Sequence, residues 1–230
     1  MNSFEAFLFD ADGVVIDTRE SVERYWNALA DRHQRILSEQ DYEEHIWGVP
    51  WNHTLKHLFP TIPESDYDSI NSGIQEYEKN LSYRAVPGVI EFLQKLRATH
   101  IPTALVTSGQ PWKVQTFFRQ LSLDAFFDCV ITADDIPRGK PAPDCYRAAA
   151  RKLGRATEKC LVFEDALSGV KSALAAGSVC IGVQQGKMAE RLQQEGACFV
   201  IPNFLNVVFI PSNGDHCIQF STSHRIQLRR

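Results

Sequence analysis

The stretch Phe7-Leu8-Phe9-Asp10-Ala11-Asp12-Gly13 decides the fold of this 230-residue chain, because an apolar run leads directly into two aspartates and a glycine. It predicts a buried strand over residues 6–9. Residues i and i+2 of an extended segment face the same side, so Asp10 and Asp12 would project together from the carboxyl end of this strand. Ligands of open α/β sheets bind at that edge. The pair suits a nucleophile and a proton donor that act on one substrate, although Asp-Gly alone is also a common turn signal.

Downstream of residue 86, short apolar runs alternate with amphipathic stretches. The runs predict strands at 103–106, 129–131, 160–163, 179–183 and 199–201. The apolar spacing predicts helices at 89–99, 114–121, 143–154 and 167–176. Strands that alternate with helices imply β-α-β units and a parallel sheet. The expected fold class is therefore α/β, with a Rossmann-like parallel sheet core formed by residues 1–16 and 86–210.

The segment 17–85 has a different pattern, in which strand-like runs are replaced by four helical stretches. These stretches lie at 21–37, 40–46, 52–59 and 67–81. The length of the segment is compatible with a small domain, so we predict an α-helical cap inserted into the core. The tail, residues 211–230, is polar and lacks periodicity, and no element is predicted for it.

Three further segments carry polar residues at strand or helix ends. They are Leu105-Val106-Thr107-Ser108-Gly109, Gly139-Lys140-Pro141-Ala142-Pro143-Asp144 and Val162-Phe163-Glu164-Asp165. Each has an ordinary interpretation when taken alone: Lys140 as an exposed lysine, and Glu164-Asp165 as a solvated turn or a helix N-terminal charge pair. Their occurrence in this order, downstream of Asp10 and Asp12, favours one shared site.

The four segments in this order resemble the haloacid-dehalogenase (HAD) superfamily, in the phosphatase branch whose helical cap is inserted after the first motif. The resemblance covers residues 4–205. It implies that Asp10 is a nucleophile that becomes an aspartyl-phosphate and that Asp12 is the general acid and base. It further implies that Thr107 and Lys140 hold the transferring phosphoryl group, with Ser108 close by.

The resemblance also implies a Mg²⁺ site formed by Asp10, the backbone carbonyl of Asp12, Glu164 and Asp165. Electrostatics also favours a bound cation. The four carboxylates of Asp10, Asp12, Glu164 and Asp165 would otherwise repel a phosphate dianion. Mg²⁺ prefers carboxylate and water oxygens. Lys140 would add a compact positive charge.

The expected activity is that of a Mg²⁺-dependent phosphomonoesterase acting on a small phosphorylated metabolite. One alternative is a sugar phosphomutase of the β-phosphoglucomutase type, and another is a non-catalytic regulator that keeps the fold. Val22 stands in place of the cap histidine of that mutase, and Trp51 stands where many sugar-phosphate members carry arginine. Both departures argue against the mutase and against hexose phosphates. We hypothesise that Trp51 faces the active site and contributes to substrate specificity.

Composition sets the expected partners and compartment. With 24 basic and 28 acidic residues, the net charge is −4, and no basic block predicts nucleic-acid binding. No apolar run approaches the roughly 20 residues of a membrane helix, and the first residues do not resemble a secretory signal. Six scattered cysteines, never paired as C-x-x-C, favour a reducing compartment, so we expect a soluble cytoplasmic protein. The sequence does not predict an oligomeric state.

His53 and His57 are spaced i, i+4 in the expected cap, so one helix face could present both. They would form a conceivable metal pair. No acidic partner follows them in the zinc-protease pattern. The pair alone therefore favours ordinary surface or core histidines.

Overall fold

The computed structural model describes residues 3–212, 215–221 and 224–228. Its strands are β1 (Ser3–Phe4), β2 (Ala6–Phe9), β3 (Thr103–Val106), β4 (Cys129–Ile131), β5 (Cys160–Glu164), β6 (Val179–Val183), β7 (Phe199–Ile201), β8 (Val208–Ser212), β9 (Asp215–Gln219) and β10 (Arg225–Leu228). Its α-helices are α1 (Arg19–Arg32), α2 (Glu39–His45), α3 (Trp51–Leu58), α4 (Tyr67–Lys79), α5 (Val89–Thr99), α6 (Pro111–Leu121), α7 (Asp144–Lys152), α8 (Leu167–Ala176) and α9 (Gly186–Glu195). Short 3₁₀ helices lie at Glu64–Asp66, Ala133–Asp135 and Thr157–Lys159.

Six strands form a parallel sheet in the order β4-β3-β2-β5-β6-β7. The strand order reverses at β2, whose neighbours are β3 on one side and β5 on the other. In open α/β sheets such a switch point opens a crevice at the carboxyl ends of the strands, where ligands bind. The predicted α/β class with a Rossmann-like parallel sheet is confirmed.

Strand β2 lies at the centre of the core because all four of its residues are apolar and fully buried. A near-continuous apolar run is typical of a parallel strand that is covered on both faces. The ring of Phe9 stacks on that of Phe163 from β5, with centroids 4.9 Å apart. This packing holds β2 and β5 together just before each strand reaches its acidic residues.

The contacts between α-carbons divide the chain into two units. One unit contains the residues through Asp17 and those from Tyr83 onward, and the other is Thr18–Ser82. The predicted insert, 17–85, differs from the second unit by one residue at its start and three at its end. Helices α1 to α4 lie in this insert and enclose their own apolar core, which includes Trp26, Leu55 and Phe59.

The structure corrects the sequence-based assignment in the tail, where no element was predicted. Strands β8 and β9 pair in antiparallel fashion, β9 pairs with β10 in the same way, and β10 lies parallel to β1. Alternate residues Ile226 and Leu228 are buried, and the buried ring of Phe220 lies 6.3 Å from that of Phe92 in α5. Two apolar residues in a four-residue strand are too few to produce a recognisable period in the sequence.

Two helical predictions also need correction. Helix α9 was not predicted, because Met188 and Leu192 are its only buried residues and most of the rest of its sequence is polar. The first insert helix was predicted to reach residue 37 but ends at Arg32. Shortly after that end, Gln34 adopts a positive φ of 54°, which is incompatible with a continuing right-handed helix.

Within the described part of the chain, the longest helix is α1, with 14 residues. None of the described helices combines the length and apolar character needed to cross a membrane.

We predict that Leu228→Ala lowers the free energy of unfolding by about 2–5 kcal/mol, because it empties a buried site in the four-stranded sheet formed by β1, β10, β9 and β8. Leu228 is 2% exposed. Leu205→Ala is the matched control, because Leu205 is 66% exposed and its truncation should change stability by no more than about 0.5 kcal/mol. Urea unfolding of both variants provides the measurement. Equal, small effects would show that the tail is not part of the core.

Candidate active site

The chain leaves β2 at Asp10 and turns sharply at Gly13. The backbone N–H of Asp10 still donates to the carbonyl of Phe163 at 3.0 Å, which keeps Asp10 beside the end of β5. Gly13 has a φ of +75°, and a Cβ there would lie 2.1 Å from Oδ2 of Asp165. A side chain at position 13 is therefore excluded by both the backbone and the packing. The glycine lets the first motif approach Asp165 closely.

Three carboxylates meet at these strand ends. Asp10, Glu164 and Asp165 each offer an oxygen, and the three oxygens lie within 4.8 Å of one another. Burial raises the pKa of Asp10 to about 7, with Lys140 opposing the shift and Glu164 and Asp12 adding to it. Burial, and then the charge of Asp10, also raise the pKa of Asp165 well above its usual range. Such crowding of acids calls for positive charge at the same place.

Lys140 supplies positive charge inside this cluster. Its ammonium donates to Oδ1 of Asp10, to Oε1 of Glu164 at 2.6 Å and to the carbonyl of Val106 at 3.4 Å. Burial alone would lower the pKa of Lys140, but the carboxylates of Asp10 and Glu164 raise it. Lys140 therefore carries its charge between the ends of β2, β3 and β5. The peptide bond that joins it to Pro141 is cis.

Glu164 is fixed from several directions. The hydroxyl of Tyr146, in α7, donates to its Oε1 at 2.6 Å, and the backbone N–H groups of Asp165 and Ala166 donate to Oε2 at 3.1 and 3.3 Å. A Cβ at Gly169 would lie 1.8 Å from Oε1, so only glycine leaves room for this carboxylate. Glu164 is 1% exposed, and its position is set almost wholly by these contacts.

Thr107 and Ser108 follow β3, the other neighbour of β2. Thr107 is buried, its backbone N–H donates to the carbonyl of Ile131, and its Oγ1 accepts a hydrogen bond from the N–H of Gly109 at 2.9 Å. Ser108 is exposed at the next position. Both lie at the same edge of the sheet as Asp10, where the sequence predicts the phosphoryl group.

Asp12 has a partner that sequence analysis missed. The ammonium of Lys113 lies 2.9 and 3.2 Å from the two carboxylate oxygens of Asp12. The Lys113 side chain is only 9% exposed, whereas that of Asp12 is 37% exposed. Lys113 stands in the first turn of α6, where the helix dipole disfavours a positive charge. That unfavourable placement is the one sequence signal that could have identified it.

Tyr146 was missed as well, and no sequence signal separates it from an ordinary core aromatic. It is fully buried in α7, and burial together with the charge of Glu164 raises its pKa well above the usual range. Its phenol therefore stays protonated and donates its hydrogen bond to Glu164.

The acidic cluster has the chemistry of a Mg²⁺ site. Its donors are hard carboxylate oxygens, which Mg²⁺ prefers, and three of the four predicted ligands are close enough to share one ion. Asp10, Glu164 and Asp165 are the side chains that would hold it. Binding there by the carbonyl of Asp12 remains a prediction.

The predicted specificity residue, Trp51, belongs to the insert. It begins α3, is partly buried against the insert core, and its ring meets that of Tyr67 edge-on with centroids 6.2 Å apart. Val22, in α1, packs against the same core. These contacts describe packing inside the insert. The hypothesis that Trp51 faces the active site remains a prediction.

Comparison with known proteins agrees with this fold and site. Residues 4–177 match the family model of haloacid dehalogenase-like hydrolases. The chain is 34% identical over 217 residues to hexitol phosphatase A of Escherichia coli, which covers 94% of this chain and 99% of that protein. It therefore belongs to the haloacid dehalogenase-like hydrolase family. It is a HAD-type hydrolase, and this relative supports phosphatase activity.

Solved structures give the same family. A family IA, variant 3 HAD hydrolase from Entamoeba histolytica superposes with a TM-score of 0.77 at 29% identity, covering 89% of this chain and 96% of that one. A Thermotoga maritima protein described as a candidate β-phosphoglucomutase has a TM-score of 0.65 at 28% identity, with 86% and 94% covered. The fold is thus common to hydrolases and mutase-like proteins of the family.

Proposed function

We propose that this protein is a Mg²⁺-dependent phosphomonoesterase that acts on a small phosphorylated carbohydrate through an aspartyl-phosphate on Asp10. The observation that carries the proposal is the meeting of Asp10, Glu164 and Asp165 around Lys140 at the switch point of the sheet. Phosphoryl transfer depends mainly on positioning and charge neutralisation, which this arrangement supplies.

The substrate class is supported by the relatives. The similarity to a hexitol phosphatase extends over nearly the full length of both proteins. This similarity favours hexitol or hexose phosphates as substrates, whereas Trp51 and Val22 argue against hexose phosphates. A monophosphate of a sugar or sugar alcohol is consistent both with the similarity to a hexitol phosphatase and with tryptophan at position 51. Its carbon skeleton carries no second phosphate for an arginine to bind.

In the first half-reaction, a carboxylate oxygen of Asp10 attacks phosphorus, and the bond between phosphorus and the leaving oxygen breaks. Lys140 keeps a positive charge beside the attacking carboxylate. The Oγ1 of Thr107 accepts from Gly109, so its own proton can be donated to a phosphoryl oxygen. Bound Mg²⁺ would supply further positive charge to the transferring group. The covalent intermediate divides one difficult displacement into two steps.

Asp12 moves the protons. It donates one to the leaving oxygen, and in the second half-reaction it takes one from the water that attacks the aspartyl-phosphate. Lys113 holds both carboxylate oxygens of Asp12 and so fixes the orientation of the group. We regard Lys113 as a positioning residue that acts through Asp12.

The mutase and regulator alternatives have weaker support. The structural similarity to a candidate β-phosphoglucomutase favours the former, whereas Val22 replaces the histidine expected in that enzyme. The presence of Asp10, Asp12 and Lys140 together with Glu164 and Asp165 argues against a non-catalytic regulator.

Hydrolysis of a chromogenic phosphate ester, with and without Mg²⁺, tests the proposed function. The wild type should release phosphate only with Mg²⁺, and Asp10→Asn should lower the rate on the order of 10⁴-fold or more, because the nucleophile is lost. Asp124→Asn is the matched control, since Asp124 is exposed. A folded Asp10→Asn variant with wild-type turnover would contradict the assignment.

Asp165→Asn should raise the Mg²⁺ concentration needed for half-maximal activity, because one anionic oxygen ligand is removed. Titration of activity against Mg²⁺ gives this concentration, and urea unfolding checks the fold. A metal role for Asp165 is excluded if the half-saturating concentration is unchanged.

Lys113→Met should reduce kcat/KM for an alkyl phosphate about tenfold more than for p-nitrophenyl phosphate. An alkoxide must be protonated as it leaves, and general acid catalysis is worth roughly 10²–10⁴-fold, whereas nitrophenolate leaves without a proton. Lys113→Arg should restore part of the difference. If both substrates lose activity equally, Lys113 serves the fold and not Asp12.

Trp51→Arg should change the ranking of substrates more than the activity towards a minimal phosphate ester. Arginine offers a planar fork of donors to a second phosphate, whereas tryptophan offers a broad apolar face. Values of kcat/KM for sugar monophosphates and bisphosphates measure the change. An unaltered ranking in a stable variant would limit Trp51 to packing.

A further inference from the structure

Three histidines of the insert come together on one side of two helices. His45 is the last residue of α2, and His53 and His57 lie one turn apart on α3. The Nδ1 of His45 is 3.2 Å from the Nε2 of His53, and the rings of His53 and His57 stack with centroids 4.0 Å apart. Each histidine offers one nitrogen, and the three nitrogens lie within 4.8 Å of one another. The third member, His45, is what sequence spacing could not reveal.

Hydrogen bonding indicates which ring nitrogens are available to a metal ion. The Nδ1 of His57 lies 2.9 Å from the carbonyl oxygen of His53, and because a carbonyl only accepts, this nitrogen must carry the proton. The lone pair of neutral His57 is therefore on Nε2. For His45, the nitrogen turned away from His53 is Nε2, which lies 3.9 Å from a carboxylate oxygen of Glu44. Histidines that bind metals commonly have a carbonyl or carboxylate at their other nitrogen.

The two helices that carry the histidines are held in place by buried neighbours. Tyr42 anchors α2, and Leu55 and Leu58 anchor α3 in the insert core. The hydroxyl of Thr54 donates to the carbonyl of His45 at 2.5 Å, which ties the end of α2 to α3. The backbones are therefore set before any ligand binds, and side-chain rotation alone has to adjust the ring nitrogens.

We propose that His45, His53 and His57 form a binding site for one late divalent transition-metal ion, such as Zn²⁺. Zn–N bonds of about 2.0–2.1 Å in tetrahedral geometry place two ligand nitrogens about 3.3 Å apart. The His45–His53 separation already has this value within 0.1 Å, and the nitrogen of His57 lies within 4.8 Å of both. Three protein ligands leave the fourth position to water.

The chemistry of the donors separates this site from the acidic cluster. Imidazole suits Zn²⁺, Ni²⁺ and Cu²⁺, whereas Mg²⁺ requires hard oxygen ligands. Burial lowers the pKa of His53, and the neighbouring His57 and His45 lower it further. Metal binding would connect α2 to α3 and stabilise the insert.

The test is a calorimetric titration of Zn²⁺ into the full-length, chelator-treated protein in the presence of saturating Mg²⁺. We expect one equivalent to bind. His53→Gln and His57→Gln should each weaken binding more than about 100-fold, which exceeds the loss expected from altering an outer-shell partner. His33→Gln is the matched control, because His33 is an exposed histidine of the same unit that packs against Phe59 outside the cluster. It should bind Zn²⁺ like the wild type.

Two additional measurements make the outcome decisive. Co²⁺ in place of Zn²⁺ should give visible absorption bands in the wild type and in His33→Gln, and these bands should be lost in His53→Gln. Zn²⁺ should raise the melting temperature of the wild type but not of His53→Gln, because ligands that bind only the native state stabilise it. The proposal is overturned if the wild type binds no Zn²⁺ under saturating Mg²⁺. It is also overturned if His53→Gln and His57→Gln retain wild-type affinity, since other groups would then hold the ion.

Discussion

The ammonium of Lys140 between Asp10 and Glu164 is the interaction on which the candidate active site depends. A buried carboxylate without a counter-charge is costly, and here three carboxylates approach one another closely. Lys140 offsets part of that repulsion, and Tyr146 with two backbone N–H groups satisfies the rest of Glu164. The parallel sheet makes this possible, because the ends of β2 and β5 bring the carboxylates to one edge and the end of β3 adds the carbonyl of Val106. The negative charge that is left over would attract the divalent cation that the proposed function requires.

Asp10 and Glu164 directly follow apolar runs that form strands of the sheet, and Asp165 comes next in the chain, so the meeting of these acidic side chains at one edge could be predicted. Their basic partners are harder to predict. Lys140 is 130 residues from Asp10, and Lys113 is 101 residues from Asp12, so no local period connects them. Lys140 was identified only through a family motif, and Lys113 was missed. The strands of the tail were missed because their few apolar residues produce no recognisable period, and because β10 pairs with β1 from the other end of the chain.

The two units differ in their chemistry. The α/β unit concentrates carboxylates and lysines, as the proposed phosphoryl transfer requires. The insert contains aromatic rings, with Trp51 and Tyr67 packed against its core, and the three histidines that His45 completes. In the sequence, His53 and His57 have the spacing of ordinary helix neighbours. Only the approach of α2 to α3 turns that pair into a set of ligands suited to a softer metal ion than the acidic cluster would take.

Covalent capture of the phosphoryl group on Asp10 tests the central claim most directly. In the Asp12→Asn variant, Asp10 can still accept a phosphoryl group from p-nitrophenyl phosphate, because the leaving group needs no proton. The variant lacks the base that activates water for the second step. With Mg²⁺ present, this variant should release one nitrophenolate per chain in a burst. After acid quenching and digestion, mass spectrometry should find one phosphoryl group on the peptide that contains Asp10, at Asp10 itself. A phosphoryl group on another residue, or steady turnover without any adduct, would contradict the account.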